Sequence, residues 1–448
     1  MESPSAGAAL KQVLKIAVIG GGWAGLAAAI TAVESGHQVT LFEASRHWGG
    51  RARSISLPAL AQPALDNGQH ILIGAYQQSL SLMRKVGIDL DKALWRLPLN
   101  LKDAKGEGLT LPPLPFPFNL LGGIAFAKGW RMHDKWSLLA TAFKWQRMHF
   151  QCDAALTVQD LCQEISPRVW RDLIEPLCVS ALNTPANQAS GSVFLRVLQD
   201  AVFGPEGSAD LLLPRQDLGE IFPHAAVRWL EAHGAICKLG VRIEQLTWNT
   251  TNSRIWEVGE NAFDRVVLAT PAWDAATLVA PFNPSWAKTA TALVHEPIAT
   301  VYVQAHAAFQ LPQPMLALQS SNKAPAQFVF DRGQMMTTHK TPGLLAFVVS
   351  AAEDSKQDLE LKVIQQARDL IYQLSPKEVA LGELTLIQTV IEKRATFACT
   401  PNLNRPSANP FRGLSVCGDY VAGPYPATLE GAVLSGCEAG QLASAPHD

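Results

Sequence analysis

Residues 14–43 read LKIAVIGGGWAGLAAAITAVESGHQVTLFE. Leu14 to Ile19 is a short, mostly apolar run of strand length, closed by a cluster of glycines. An Ala-rich helix is predicted from there to about Ser35, with Gly36 where a helix-ending glycine belongs. His37 to Phe42 reads as a second strand, ending at Glu43. Together these make a strand–helix–strand unit of about 30 residues. Gly20-x-Gly22-x-x-Gly25 falls at its turn. Gly20 permits the tight bend, Gly22 lets the backbone approach a pyrophosphate, and Gly25 lets helix and strand pack closely. The helix start offers free N–H groups and its positive dipole end to phosphates. Glu43 can accept both hydroxyls of a ribose, and an acid there favours an unphosphorylated one. A lone glycine pattern is a weak signal; strand, helix, second strand and acid in register point to a dinucleotide.

Which dinucleotide follows from more distant residues. His47-Trp-Gly49-Gly50-Arg51-Ala-Arg53 comes directly after Glu43. Two glycines followed by arginines can bring backbone and guanidinium onto a second stretch of a diphosphate. Near the other end of the chain, Gly418-Asp419 follows a predicted strand, and Thr428-Leu429 opens a predicted last helix over 428–443. Asp419 can accept hydroxyls of a ribityl chain, and the new helix start can face the electron-rich edge of a reduced flavin. A ligand reached from both chain ends must be long, so FAD fits better than NAD.

These segments resemble the amine oxidase and phytoene desaturase superfamily of flavoproteins. The resemblance implies Val241 as an adenine contact and Gly68, in Asp66-Asn-Gly-Gln-His70, beside the flavin. The implied fold class is α/β: an FAD-binding, Rossmann-like (GR2-type) domain interleaved with an α+β substrate-binding domain. The chain's pattern of elements agrees with interleaving. We expect FAD-binding parts at 12–95, 206–275 and 406–444, with substrate-domain parts at 96–205 and 276–405. The proline-rich run Pro112 to Phe118 marks a boundary, since it suits neither helix nor central strand.

Other stretches are more particular: Asp66 to Tyr76, Glu175-Pro-Leu-Cys-Val-Ser-Ala-Leu-Asn-Thr-Pro185 and Asp210-Leu-Leu-Leu-Pro-Arg215. With the C-terminal segments they resemble the bacterial hydroxysqualene dehydroxylases, also called squalene-associated FAD-dependent desaturases, over nearly the whole chain. Tyr420 stands where that family would have Trp. The resemblance implies reductive removal of an allylic hydroxyl from hydroxysqualene, giving squalene for hopanoid synthesis. Such a reaction needs a proton for the departing hydroxyl, a hydride source and a dry apolar tunnel. His70 is the candidate acid, its ordinary pKa being near neutrality; its other reading is a structural histidine bonded to backbone. Asn183 and Arg215 are candidates to orient the hydroxyl, or are polar ties between elements. Glu430 reads as support for the last helix, and Tyr425 as a further candidate.

Composition bounds the partners. Charged residues are 17% of the 448 and the net charge is −2. That gives no basic footprint for nucleic acid and a surface that suits an apolar isoprenoid. The seven cysteines form no C-x-x-C pair and read as reduced thiols. No signal peptide is expected from MESPSAGAALKQ, nor a spanning helix. There is no second glycine motif, Walker A loop, nucleophile elbow or clustered Cys/His metal site. Electrons for the flavin must therefore come from the substrate, from oxygen chemistry or from an external donor, and an external electron donor is the expectation.

Between 116 and 150, eight aromatics (Phe116, Phe118, Phe126, Trp130, Trp136, Phe143, Trp145, Phe150) alternate with Lys128, Arg131, Lys135, Lys144 and Arg147 against one acid, Asp134. Either this segment meets the headgroups of an anionic bilayer, or it packs inward over the substrate tunnel. The first reading places a cytoplasmic protein peripherally on the inner face of the cytoplasmic membrane. Rival functions are a carotenoid-type desaturase, an amine oxidase, or an isoprenoid-binding module with a vestigial flavin site.

Overall fold

A computed structural model describes residues 12–55, 65–249, 256–338, 340–352, 354–375 and 384–444. Residues 1–11, on which the leader reading rests, lie outside the described residues.

The opening unit forms as read: strand Lys15–Ile19, helix Trp23–Glu34, strand Gln38–Glu43. The two strands pair in parallel and join a five-stranded parallel sheet. Across it the order is Ile236–Leu239, Gln38–Glu43, Lys15–Ile19, Arg265–Leu268, Leu414–Val416. Three separate stretches of chain thus build one sheet. Its central strands are buried on both faces, as their unbroken apolar runs require. Helix Trp23–Glu34 covers the sheet and packs closely on the last helix, Leu429–Ala443. Both helices are rich in Ala and Gly along their contact, which lets the backbones approach.

A second sheet of five antiparallel strands runs Met315–Ala317, Phe328–Asp331, Leu344–Ser350, His295–Gln304, Thr385–Phe397. Strand residues alternate between faces. Val301 and Val303 point to the face covered by helix Lys356–Leu374 and pack with Leu359, Val363 and Leu370. Thr300 and Tyr302 point the other way, at the loop Asp66–His70. The second sheet thus backs the loop expected beside the flavin.

Residues 158–201 form a broken helical series. Short turns at Val158–Leu161 and Pro167–Val169 lead through a π-helical turn, Trp170–Ile174, into helices Glu175–Leu182 and Gly191–Ala201. The aromatic segment holds helices Phe118–Ala125 and Met132–Arg147.

Candidate flavin site

The adenosine end is assembled around Glu43. One carboxylate oxygen accepts the Gly21 N–H and the other the Ser45 N–H, each at 2.7 Å. The group is thereby fixed at the mouth of the glycine turn. Val241 lies beside it, donating its N–H to the Glu43 carbonyl at 2.8 Å.

The glycines differ in what surrounds them. A Cβ built on Gly25 would lie 1.8 Å from the Gly20 carbonyl oxygen, so this position serves helix–strand packing. A Cβ on Gly22 would meet nothing nearer than the Gly50 Cα, at 3.8 Å. The space over Gly22 and Gly50, beside the free N–H groups of the helix start, is where a diphosphate would lie. The residues present therefore fit FAD: Glu43 and Val241 for the adenosine, Gly22 and Gly50 for the diphosphate.

Arg51 and Asp419 are expected on different stretches of the cofactor. The structure joins them: the Arg51 guanidinium donates to both Asp419 oxygens at 2.7 Å and also to the Ala395 carbonyl. Burial works against the Arg51 charge, but Asp419 more than offsets this and holds the guanidinium protonated. This pair closes the site across 368 residues of chain. Arg53 folds back onto the Gly50 carbonyl, and the Asn67 side chain donates to the Arg51 carbonyl at 3.0 Å. The Gly49–Arg53 segment and the Gly68 loop are therefore one unit.

Gly68 has φ +103°, and a Cβ there would meet the Thr300 hydroxyl at 3.6 Å. Beneath it lies a buried ion pair that the sequence reading did not foresee. Arg332 donates to Asp66 at 2.9 Å and to Gln69 at 3.1 Å, both charged side chains being about 3% exposed or less. The Leu218 N–H donates to the other Asp66 oxygen at 2.8 Å, and the Tyr302 hydroxyl to the Asp66 carbonyl at 2.9 Å. Burial pushes the Asp66 carboxyl above the usual range, opposed by Arg332 and Leu218. His70 sits at the end of this loop with Nδ1 3.1 Å from the Gly68 carbonyl. A carbonyl only accepts, so Nδ1 carries the proton and Nε2 is the nitrogen left for chemistry. Burial lowers the His70 pKa, countered by the Gly68 bond and Asp66.

The other two candidates sit differently. Asn183 ends helix Glu175–Leu182 in the left-handed conformation, φ 48°. Its amide donates to the Thr396 hydroxyl at 2.9 Å and its oxygen accepts the Ala351 N–H at 2.9 Å. Both ends of the carboxamide are spent tying this helix to the second sheet. Arg215 is held through its backbone, to Ala93 and Thr337, with its guanidinium 5.9 Å from the Trp95 ring centre. It borders the Asp66 loop through the turn that carries Leu218.

Thr428 caps the last helix by accepting the Gly431 N–H at 3.0 Å, with Leu429 the first helical residue. Glu430, read as support for its own helix, instead caps another: it accepts the Gln78 and Ser79 N–H groups at 2.8 and 2.9 Å, at the start of helix Gln77–Lys85. Gly418, at φ +152°, abuts the Tyr420 ring, whose hydroxyl donates to the Thr270 carbonyl. Tyr425 donates to Asp200 at 2.6 Å, which Arg196 also binds.

The aromatic segment divides. Trp130 and Trp145 are in the core, while Phe118, Phe126, Trp136 and Phe143 are exposed, Phe126 by 84% and Trp136 by 64%. Leu114, Leu121 and Met132 extend the exposed set. Asp134 is buried and accepts the Arg131 N–H at the start of helix Met132–Arg147. Lys128, Arg131 and Arg147 are exposed. No helix among the described residues is long and apolar enough to cross a membrane.

Comparison with known proteins fixes the family. The model of the flavin-containing amine oxidoreductases matches residues 23–443, from the glycine turn to the end of the last helix. This chain belongs to that family. This flavin-containing amine oxidoreductase is 24% identical over 438 residues to a hydroxysqualene dehydroxylase from Zymomonas mobilis, covering 95% of this chain and 98% of that protein. It is 25% identical to one from Sinorhizobium fredii, covering 95% and 97%. It is 23% identical to a 15-cis-phytoene desaturase from an Oncidium hybrid, covering 95% and 77%. An oxidoreductase from Methanosarcina mazei shares the fold, with a TM-score of 0.69 at 16% identity over 95% of this chain and 99% of that one. The amine oxidoreductase thus has the α/β FAD-binding fold and is an FAD-dependent oxidoreductase.

Proposed function

We propose that this enzyme reductively dehydroxylates hydroxysqualene to squalene, within hopanoid or related triterpenoid synthesis. The observation that carries the reading is similarity to hydroxysqualene dehydroxylases over 95% of the chain and nearly all of theirs. Bound and reduced, FAD supplies the hydride that replaces the hydroxyl. The chain's own part is to hold the cofactor at Glu43, Gly22, Gly50 and Asp419, to keep the reacting carbon dry, and to give the departing oxygen a proton. His70 is suited to that last role: its Nδ1 is fixed by the Gly68 carbonyl, so its Nε2 can deliver the proton when the ring is charged.

Anaerobic incubation of the purified protein with FAD, a chemical reductant and hydroxysqualene should yield squalene. If hydroxysqualene is instead left unchanged, and the oxidised enzyme given a less conjugated polyene and a quinone acceptor dehydrogenates it, the enzyme is a desaturase of the phytoene type. With His70 as acid, turnover needs the imidazolium. Because burial lowers its pKa, turnover should rise as pH falls through a value below the ordinary histidine 6.5. His70→Gln should flatten that profile while keeping FAD content. Unchanged turnover in His70→Gln would remove His70 from the mechanism.

We infer further that the exposed aromatic and basic face of residues 114–147 rests on an anionic bilayer at the inner face of the cytoplasmic membrane, from which an isoprenoid of this kind is collected. Four exposed aromatics with Lys128, Arg131 and Arg147 support the reading. Burying a large aromatic is worth about 1.5–3 kcal/mol. The double variant Phe126→Glu/Trp136→Glu should therefore lower the partition constant onto anionic liposomes, read by co-sedimentation over a lipid titration, by at least about a hundredfold. Equal sedimentation of variant and parent would place this face elsewhere.

A further inference from the structure

Between strand Leu414–Val416 and the last helix, residues 417–428 form a loop without helix or strand. It carries Asp419 near one end and Thr428 at the other. Its shape is dictated by one side chain from outside it. Arg405 donates from Nη2 to the carbonyls of Asp419 (2.6 Å) and Val421, from Nη1 to those of Gly423 (2.9 Å) and Tyr425 (2.7 Å), and from Nε to that of Tyr420 (3.3 Å). A guanidinium has five N–H donors and no acceptor, and five loop carbonyls converge on this one. The Phe397 ring lies 4.6 Å from the guanidinium carbon and supports it from one side. The Ala422 N–H donates to the Pro406 carbonyl at 2.8 Å, fastening the loop to the residue next to Arg405.

We propose that Arg405 is the positioning residue of the flavin site, wrapping the 419–425 main chain so that the Asp419 carboxylate and the Thr428 helix start are held at the separation FAD requires. Arg405 spends its donors on carbonyls and does not itself face the cofactor. It acts through the loop. The inference rests on the reading of Asp419 and Thr428 as cofactor contacts. Lysine cannot replace it, since an ammonium has three donors at a point and not a planar fork. Carbonyls left without this centre would turn toward water and carry Asp419 out of register with Gly22 and Glu43.

The test uses the full-length apoprotein titrated with FAD. Arg405→Ala should weaken FAD binding by about tenfold or more, as preorganisation is lost, and should alter the visible circular dichroism of the flavin that still binds. Millimolar guanidinium should restore affinity and dichroism in Arg405→Ala, whereas sodium chloride at the same ionic strength should not. A residue serving only overall stability would give no such selective rescue. Arg405→Lys should fold and yet resemble Arg405→Ala in FAD affinity. The proposal is overturned if Arg405→Ala keeps the parent affinity and dichroism, or if the two salts act alike. Should Arg405→Ala not fold, Arg405→Lys with parent affinity and dichroism overturns it equally. Asp419→Asn separates this from the site reading. If Asp419→Asn binds FAD normally while Arg405→Ala does not, the Asp419 assignment fails and the loop-positioning role stands through Thr428.

Discussion

Gly25→Ala is expected to yield protein without flavin. Its new methyl group would lie 1.8 Å from the Gly20 oxygen and 3.0 Å from the Ala269 Cβ. The nearest of these is backbone, so no side chain can rotate away. The helix start must retreat from the strand, moving the N–H groups that face the phosphates. Overpacking of this kind costs about 1–3 kcal/mol or more, and the cofactor loses its aligned donors in addition. Gly22→Ala makes the useful contrast. It has room within the protein, so its apoprotein should melt like the parent apoprotein while binding FAD more weakly, because only the ligand contests that space. Visible absorbance of the purified proteins and their melting temperatures decide the matter. A fully yellow Gly25→Ala protein would show that the turn is looser than its geometry states.

Arg332→Met should cost about 3–5 kcal/mol, the price of leaving a buried charge without its partner. Asp66 would keep the Leu218 N–H but lose its counter-charge in a site that admits almost no water. The pH dependence has a definite sign. Burial already raises the Asp66 pKa above its unfolded value, and removing Arg332 raises it further. A carboxyl raised in the folded state favours folding most at low pH, and that contribution is lost as pH rises through the folded pKa. The variant should thus be least stable near neutrality and recover toward acid. Asp66→Asn/Arg332→Met removes both charges and should regain much of the loss. Urea denaturation of the three proteins from pH 4.5 to 7.5 checks this, and a loss in Arg332→Met that is flat across that range would contradict it.

The contrast between these two predictions shows what the sequence could reveal. Gly25 announces itself because helix start, strand and acid all lie within 30 residues. Arg332 gives no local sign: its partner Asp66 is 266 residues away, and the pair exists only once the second sheet lies against the loop. Glu430 is similar, since it caps a helix more than 350 residues upstream. Asn183 stands in a stretch that reads as subgroup-specific, but residue type alone cannot tell a substrate contact from a left-handed helix end. Strand Thr385–Phe397 was not predicted because polar residues interrupt its apolar ones, as befits the edge strand of its sheet. Helix Met132–Arg147 has two apolar stripes. Met132, Trp136 and Phe143 face outward, and Leu138, Ala142 and Trp145 inward. Periodicity gives the helix and leaves open which stripe meets the core.

The parallel sheet, drawn from three distant stretches of chain, has a consequence for how the protein is made. Its Leu414–Val416 strand and the Arg51–Asp419 clasp exist only after residues 414–419 have left the ribosome. At about 5–20 residues per second, the roughly 390 residues separating Gly25 from Asp419 take some 20–80 s to synthesise. Throughout that interval the glycine turn is present with no opposite wall. A nascent chain arrested short of Asp419 lacks that wall and should emerge colourless even in a cell rich in the cofactor.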